Sequence, residues 1–146
     1  MTYEEYEQLC KHERESNEEY LKEFESNLNE DGLSANTITR HLSNIEFYIN
    51  EYLLREEPLE MREGCYYVDD FLGYFFIRKC MWSTPGTIKS TAASLKKFYK
   101  CMESKGNVQE DEYQELCNTI KENMDIWQED CERFNDPSIS NPFGYI

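Results

Sequence analysis

The sequence predicts an all-α protein, a compact bundle of about five helices. Apolar residues recur at spacings of three and four, as they do on the buried face of an amphipathic helix. Capping residues precede most of these runs, and Gly or Pro follows them. Aromatic residues make up 14% of the 146 residues, which is enough apolar area to predict one buried core and a single domain over 1–146.

The first 31 residues predict two consecutive helices with an acidic outer surface. Thr2–Glu5 and Ser16–Glu19 both have the spacing of a capping box, which indicates a short helix followed by a longer one. Gly32 is expected to end the longer helix in the left-handed conformation. The apolar residues that share one face of the longer helix are Tyr20, Leu21, Phe24 and Leu28.

Ser34 is the expected N-cap of a long amphipathic helix, and Pro58 ends that helical region. The segment 55–64 is predicted to be a loop. The inward stripe of the helix consists of Ile38, Leu42, Ile45, Ile49 and Tyr52 or Leu53. The polar residues Thr37, Arg40, His41 and Asn44 are expected to lie largely off that stripe.

The next segment, 65–68, is predicted to be an extended lead-in to a third helix. Asp69 is the expected cap of that helix, which covers 70–81. Large apolar side chains lie on nearly all its sides, so we expect it to be the most buried helix. These side chains are Phe71, Leu72, Tyr74, Phe75, Phe76 and Ile77.

A fourth helix is predicted over 83–106, with a hydroxyl cap and Pro85 in its first turn and Gly106 at its end. Its inward stripe consists of Ile88, Ala92, Leu95, Phe98 or Tyr99, and Met102. A last helix over 108–134 is acidic outside. It is followed by an aromatic tail, 141–146, which we expect to pack against the body.

Charge is distributed unevenly along the chain. The net charge is −15, and it divides into −8 for 1–31, −3 for 32–82, +4 for 83–106 and −8 for 107–146. Lys89, Lys96, Lys97 and Lys100 lie off the inward stripe of the fourth helix, and the last three form one positive ridge. Such a ridge is typical either of a solvated face that offsets the surrounding acids or of a nucleic-acid contact. The overall acidity argues against tight non-specific DNA binding.

Four motifs in this order are similar to the core-binding domain of tyrosine recombinases, the SAM-like N-terminal domain of phage integrases. They are Gly-Leu-Ser-Ala-Asn-Thr-Ile at 32–38, Asp-Phe-Leu at 70–72, Ser-Thr-Pro-Gly-Thr-Ile at 83–88 and Lys-Phe-Tyr at 97–99. The resemblance covers 20–106. The acidic helix and tail in 107–146 are unlike the family.

The resemblance implies that the second and fourth helices lie against double-stranded DNA as half of a clamp. Hydroxyls at helix N-termini and lysines suit phosphate binding. The DNA-binding residues that the resemblance implies are Thr37, Arg40, His41, Thr84, Thr87, Lys89, Ser90, Lys96, Lys97 and Lys100.

Catalysis by this chain is not expected. In the family the chemistry belongs to a separate C-terminal domain with a Tyr nucleophile, two arginines, a lysine and a His-x-x-Arg motif, and neither His12 nor His41 supplies that motif. The six cysteines form no CxxC pair and share no ligand spacing with the histidines, so we expect free thiols and neither metal nor cofactor.

Two functions follow as predictions. The first is a non-catalytic DNA-binding module. The second is an acidic protein-interaction or regulatory module that retains the fold and binds a recombinase, another protein or a second copy of itself. The acidic N-terminus has no apolar core typical of a signal peptide, and no apolar run is long enough for a bilayer span, so we expect a cytoplasmic protein.

Overall fold

The computed structural model describes residues 1–138, and over that range the chain folds into helices and turns without a strand. The helices are α1 (Tyr3–Glu30), α2 (Ala35–Glu46), α3 (Val68–Asp70), α4 (Phe76–Lys79), α5 (Pro85–Ser104) and α6 (Glu110–Asn135). Two π-helical turns, Phe47–Tyr52 after α2 and Phe71–Phe75 between α3 and α4, and a 3-10 helix, Met61–Tyr66, complete the helical structure of this range. The all-α prediction is therefore confirmed. The predicted packing of the tail 141–146 lies outside the described residues.

The N-terminal segment is one helix, so the prediction of two helices is wrong. Thr2 does cap α1, because its Oγ1 accepts a hydrogen bond from the Glu5 amide at 3.1 Å. Ser16, in contrast, lies in mid-helix. Neither Gly nor Pro interrupts Tyr3–Glu30, and buried residues recur along it from Cys10 to Leu28, so one long helix is the favourable arrangement.

The π-helical turn that follows α2 is bound by side chains of α1. Asn17, which is buried, donates to the Ile49 carbonyl at 3.2 Å, and Arg14 donates to the Asn50 carbonyl at 3.3 Å. The Tyr6 hydroxyl donates to the Leu54 carbonyl. These bonds satisfy backbone carbonyls at an irregular helix end and fix the angle at which α1 crosses it.

The predicted extended lead-in at 65–68 is wrong, because the chain there completes the 3-10 helix and begins α3. Tertiary hydrogen bonds to backbone carbonyls hold that turn compact. The Tyr48 hydroxyl donates to the Gly64 carbonyl at 2.6 Å, and the Tyr99 hydroxyl donates to the Met61 carbonyl at 2.7 Å. Asp69 lies inside the helix rather than at its cap.

The third helical region is also less buried than predicted. Phe71, Leu72, Phe76 and Ile77 are buried, whereas Tyr74 is 53% exposed. Its inward side meets α6 closely at Gly73, where an added Cβ atom would lie 2.6 Å from the Trp127 indole. A glycine is therefore needed at this contact.

The predicted inward stripe of α5 is confirmed. In α5 the buried apolar positions are Ile88, Ala92, Leu95, Phe98, Tyr99, Cys101 and Met102, and in α6 they are Leu116, Ile120, Trp127 and Cys131. The two helices run antiparallel, since Gln128 and Asn135 late in α6 donate to the Pro85 and Ser83 carbonyls at the start of α5. Within residues 1–138, none of the helices combines the length and apolar character that a membrane span requires.

Candidate nucleic-acid interface

The predicted second and fourth helices correspond to α2 and α5, which pack side by side through a buried polar contact. Ser94 of α5 is fully buried, and its hydroxyl lies 2.7 Å from His41 Nδ1. Asn44 Nδ2 donates to the same hydroxyl at 3.0 Å. This shared hydroxyl fixes the register of α2 against α5, because burying it without partners would be unfavourable.

His41 is the one predicted DNA contact that the structure places in the interior. Its side chain is only 3% exposed, so the expectation that it lies off the inward stripe is wrong. The physical reason is the helical period itself, since His41 follows the buried Ile38 by three positions and precedes the buried Ile45 by four. His41 therefore joins two helices and does not present its ring at the surface.

Two cations, Arg40 and Lys97, lie near the buried His41 ring. Burial lowers the pKa of His41 below its ordinary value, and the nearby positive charges of Arg40 and Lys97 lower it further. Arg40 belongs to α2 and Lys97 to α5, so both charges lie near the same point of the junction between the helices. The structure thus brings together one predicted residue from each helix.

The outward stripe of α5 carries lysines and small residues, with no acid among them. Its exposed positions are Gly86, Lys89, Ala93, Lys96, Lys97, Lys100 and Ser104. Glu103, the single acid of α5, is half-buried and pairs with Lys100 at 3.1 Å. Lys89, Lys96 and Lys97 form no ion pair within the described chain, and neither does Arg40.

Cations elsewhere on the molecule are paired more often. Lys22 lies 3.5 Å from Glu19, Arg62 lies 3.6 Å from Glu60, and Arg133 lies 2.6 Å from Glu129. Lys11, Lys79, Lys105 and Lys121 form no ion pair within residues 1–138 either, although acids outnumber bases 30 to 15 in the sequence. Arg40, Lys89, Lys96 and Lys97, here called the basic face, differ in lying together on the two adjacent helices α2 and α5.

The predicted hydroxyl residues bind their own helices. The Thr87 amide donates to Thr84 Oγ1 at 3.1 Å, and the Thr84 amide donates to Thr87 Oγ1 at 2.7 Å, which is a reciprocal cap of α5. The Thr37 amide donates to Oγ of the cap residue Ser34 at 3.2 Å, and the Ser34 hydroxyl donates to Thr37 Oγ1 at 2.9 Å. At Ser90 the contact is made by the backbone, whose carbonyl accepts from the Ser94 hydroxyl at 3.2 Å. Their role in the fold is thus local, while the cations keep their donors available.

At the C-terminal half of α5 the basic surface becomes concave. Lys96, Lys97 and Lys100 line a cleft of about 410 Å³ between the end of α1 and the start of α6. Asp31 and Tyr113 form part of its wall, and the Lys100 ammonium lies 5.4 Å from the centre of the Tyr113 ring. Contact with the ring and with Glu103 holds Lys100 in place, whereas Lys96 and Lys97 form no ion pair within the described chain.

A longer basic run was missed by the sequence reasoning. No acid occurs between Asp70 and Glu103, and this stretch contains six bases, including Arg78 and Lys79. Measuring the length of sequence between successive acids, instead of summing the charge of each predicted helical segment, would have identified this run. Arg78 stacks on the Tyr74 ring at 3.6 Å, and the exposed residues Met81 and Trp82 follow Lys79 after one position.

Candidate nucleophiles are suppressed by burial. Burial raises the pKa of the Cys65 thiol to about 12 and that of the Cys80 thiol to about 11, so both remain protonated at neutral pH. A protonated thiol is a poor nucleophile and a poor metal ligand. Over residues 1–138, no group of three metal-ligating side chains comes together. The chemistry that the basic face supports is the binding of anions.

Comparison of the chain with family models, with curated proteins and with solved structures gave no match. The resemblance to the core-binding domain of tyrosine recombinases therefore stays a prediction.

Proposed function

We propose that the basic face of α2 and α5 binds the phosphate backbone of double-stranded DNA, and that this chain acts as a non-catalytic DNA-binding module of the recombinase type. The observation that carries the proposal is a set of four cations that form no ion pair within the described chain, three of them on an outward stripe of α5 without acids, in a strongly acidic protein.

The energetics of surface charges support an external anion. A surface ion pair contributes only about 0.2–1 kcal/mol, and lysines three or four positions apart on a helix repel by a few tenths of a kcal/mol. Folding therefore gains nothing from an outward row of lysines without acids. Phosphate groups would relieve the repulsion, because Lys binds phosphate as a point charge.

The dimensions of the face suit a duplex. Lys89 and Lys97 are eight residues apart, which corresponds to about 12 Å along the helix. That length is comparable to about three to four base pairs at 3.4 Å each. Arg40 adds a contact from the neighbouring helix. A face of this kind would contact backbone phosphates and hold the register of the duplex, without reading base sequence.

The net charge limits the affinity that we expect. At 0.1 M salt the screening length is about 10 Å, so acids farther than that from the basic face repel the duplex only weakly. At much lower salt that repulsion reaches farther. We therefore expect moderate affinity, below that of a domain that is basic overall.

The test is a titration of a fluorescently labelled 20-base-pair duplex, followed by anisotropy at 50 mM salt. The double variant Lys96→Glu with Lys97→Glu is expected to weaken binding at least tenfold, since each reversal removes an attraction and adds a repulsion. Lys121→Glu on α6, which is also an exposed lysine, is the matched control and should have little effect. Absence of binding by the unmodified protein, or equal binding by the double variant, would contradict the proposal.

A second candidate, a protein-interaction module, is favoured by the outward face of α6. Its exposed acids are Glu110, Asp111, Glu115, Glu122, Asp125, Glu129 and Glu132. Such a surface suits a basic protein partner and leaves the basic face unused. Co-purification from the native host distinguishes the two candidates. The second is favoured if the protein binds no DNA and if a protein partner that co-purifies with it is lost when the α6 acids are replaced by neutral residues.

A further inference from the structure

The turn between α4 and α5 carries the most exposed apolar pair among the described residues. Met81 is fully exposed, and Trp82 is 56% exposed. The indole meets Phe47 and Phe76 with ring centres 5.8 and 6.3 Å apart and interplanar angles of 73° and 87°. Neither neighbour is stacked parallel to it, and more than half of the side chain is open to solvent.

Trp82 lies at one end of the junction between α2 and α5. Phe47 follows directly on α2, and Thr87 in the first turn of α5 donates its hydroxyl to the Trp82 carbonyl at 3.2 Å. The contact of His41 with Ser94 lies farther along the same junction, beside Arg40 and Lys97. The indole therefore lies at one end of the junction of α2 with α5 that also carries Arg40 and Lys97.

The charge around the pair is also favourable for an anionic partner. Met81 and Trp82 lie inside the acid-free stretch between Asp70 and Glu103, with Lys79 just before them and Lys89 seven positions after. Acids also occur on the elements packed beside the pair, where Glu46 is next in sequence to Phe47 and Asp136 is next to the Asn135 that bonds to Ser83. The Asp136 carboxylate already accepts two bonds from Ser138.

We propose that Trp82, with Met81 beside it, stacks on an unpaired base of the DNA that the basic face holds, an inference that rests on the proposed function. A nucleic acid strand combines an apolar ring face with a negative backbone, and so matches an indole bordered by cations. In a continuous duplex each base face is covered by its neighbours. Inserting an indole between stacked bases has an unstacking cost, whereas a gapped, bulged or single strand offers a base face without that cost. The substrate class is therefore duplex DNA that contains unpaired bases.

The experiment compares a continuous 20-base-pair duplex with the same duplex carrying a two-nucleotide bulge, by anisotropy of a label on the DNA. We expect the unmodified protein to prefer the bulged DNA by about tenfold, which is within the range that stacking on one base contributes to affinity. Trp82→Ala should abolish the preference and change binding to the continuous duplex by less than twofold, whereas Trp82→Phe should keep most of it. Met81→Ala, at a fully exposed position, should reduce the preference without disturbing the fold.

Tryptophan fluorescence gives a second readout. The protein has two tryptophans, and Trp127 is 1% exposed with its indole N–H bonded to Asp69, so quenching by DNA or by acrylamide reports mainly on Trp82. We expect acrylamide to quench Trp82 in the unbound protein and the bulged DNA to protect it. Trp82 emission that resists acrylamide before DNA is added would overturn the inference, because the indole would then already be covered.

Two further results would overturn it and separate it from the proposed function. Equal binding of continuous and bulged duplexes, with an intact salt dependence, would contradict the stacking and leave the proposed function standing. A change of oligomeric state in Trp82→Ala, with no change in DNA preference, would assign the pair to a protein contact. Absence of binding to both duplexes would overturn the proposed function and this inference together.

Discussion

Helices α5 and α6 are alike on their inward sides and opposite on their outward sides. Each places a buried aromatic residue against a glycine, Tyr99 of α5 against Gly64 and Trp127 of α6 against Gly73. Outward, α5 presents lysines without acids, whereas α6 presents seven exposed acids and two exposed bases, Lys121 and Arg133. The need to pack against the core explains why the inward sides of α5 and α6 are similar. It does not explain why their outward charges are opposite, since residues of either charge would keep the surface solvated.

The inward likeness extends to the polar atoms of the two aromatic residues. The Tyr99 hydroxyl donates to the Met61 carbonyl at 2.7 Å, and the Trp127 indole N–H donates to Asp69 at 2.8 Å. Large aromatic side chains with a satisfied polar atom specify one orientation of a helix as well as its burial. These two contacts therefore set the positions of α5 and α6 relative to the 3-10 helix and to α3.

The largest expected effect is on those glycines. Gly64→Ala and Gly73→Ala should each lower the free energy of unfolding by about 2–4 kcal/mol, because the new methyl group would collide with Tyr99 and Tyr48 in one case and with Trp127 in the other. Urea denaturation measures the change. Gly86→Ala is the matched control, since its Cβ atom would meet only Thr84 Oγ1 at 3.8 Å, and its stability should be unchanged or slightly higher. A loss below 0.5 kcal/mol at Gly64 and Gly73 would contradict this account of the close contacts.

A smaller effect is expected when the Tyr99 hydroxyl alone is removed. Tyr99→Phe should lower the free energy of unfolding by about 1–2 kcal/mol, because the Met61 carbonyl loses its buried donor while the ring packing stays the same. Thermal and urea unfolding would show it. An unchanged free energy of unfolding would indicate that water bonds to the Met61 carbonyl in place of the hydroxyl. The ring of Tyr99 would then stabilise the contact with Gly64 by packing alone.

The parts of the fold that sequence predicted are those encoded locally. The stripe of α5, its Thr84 cap and its end at Gly106, with φ of +81°, depend on residues close to one another in the chain. The 3-10 helix depends on hydroxyls from Tyr48 and Tyr99, which are distant in sequence. The β-branched and aromatic residues at 65–68 therefore led to the wrong prediction of an extended segment. The capping-box spacing of Ser16 with Glu19 misled for the opposite reason, since a local signal was overridden by continuous burial along α1.

The candidate site was predictable to a similar extent. Spacing placed Lys89, Lys96, Lys97 and Lys100 outside the core, and the structure exposes all four. It did not predict which of them find acids, because ion pairs depend on side-chain reach across helices. His41 was misplaced although its spacing from Ile38 and Ile45 indicated burial, since a polar residue on an apolar stripe is easily read as exposed.

The smallest stability effect concerns the junction of α2 with α5. The pKa of His41 is lowered in the folded protein, so the unfolded chain binds more protons at acidic pH. The free energy of unfolding that depends on neutral His41 is present above the ordinary pKa of about 6.5 and is lost as pH falls below it toward the folded value. His41→Gln, which can still bond to Ser94, should remove this part of the acid sensitivity. Equal loss of stability by both proteins between pH 7.5 and 5.5 would contradict the assignment.

The outward difference between α5 and α6 is tested most directly by the salt dependence of duplex binding. Each neutralised phosphate contributes about −0.9 to the slope of log K against log salt, so four contacts from Arg40, Lys89, Lys96 and Lys97 predict a slope of about −3.6. Lys97→Gln should reduce its magnitude by about 0.9 at unchanged stability, and Lys121→Gln on α6 should leave it unchanged. A slope near zero, or one that Lys97→Gln does not alter, would contradict the claim that the basic face holds DNA.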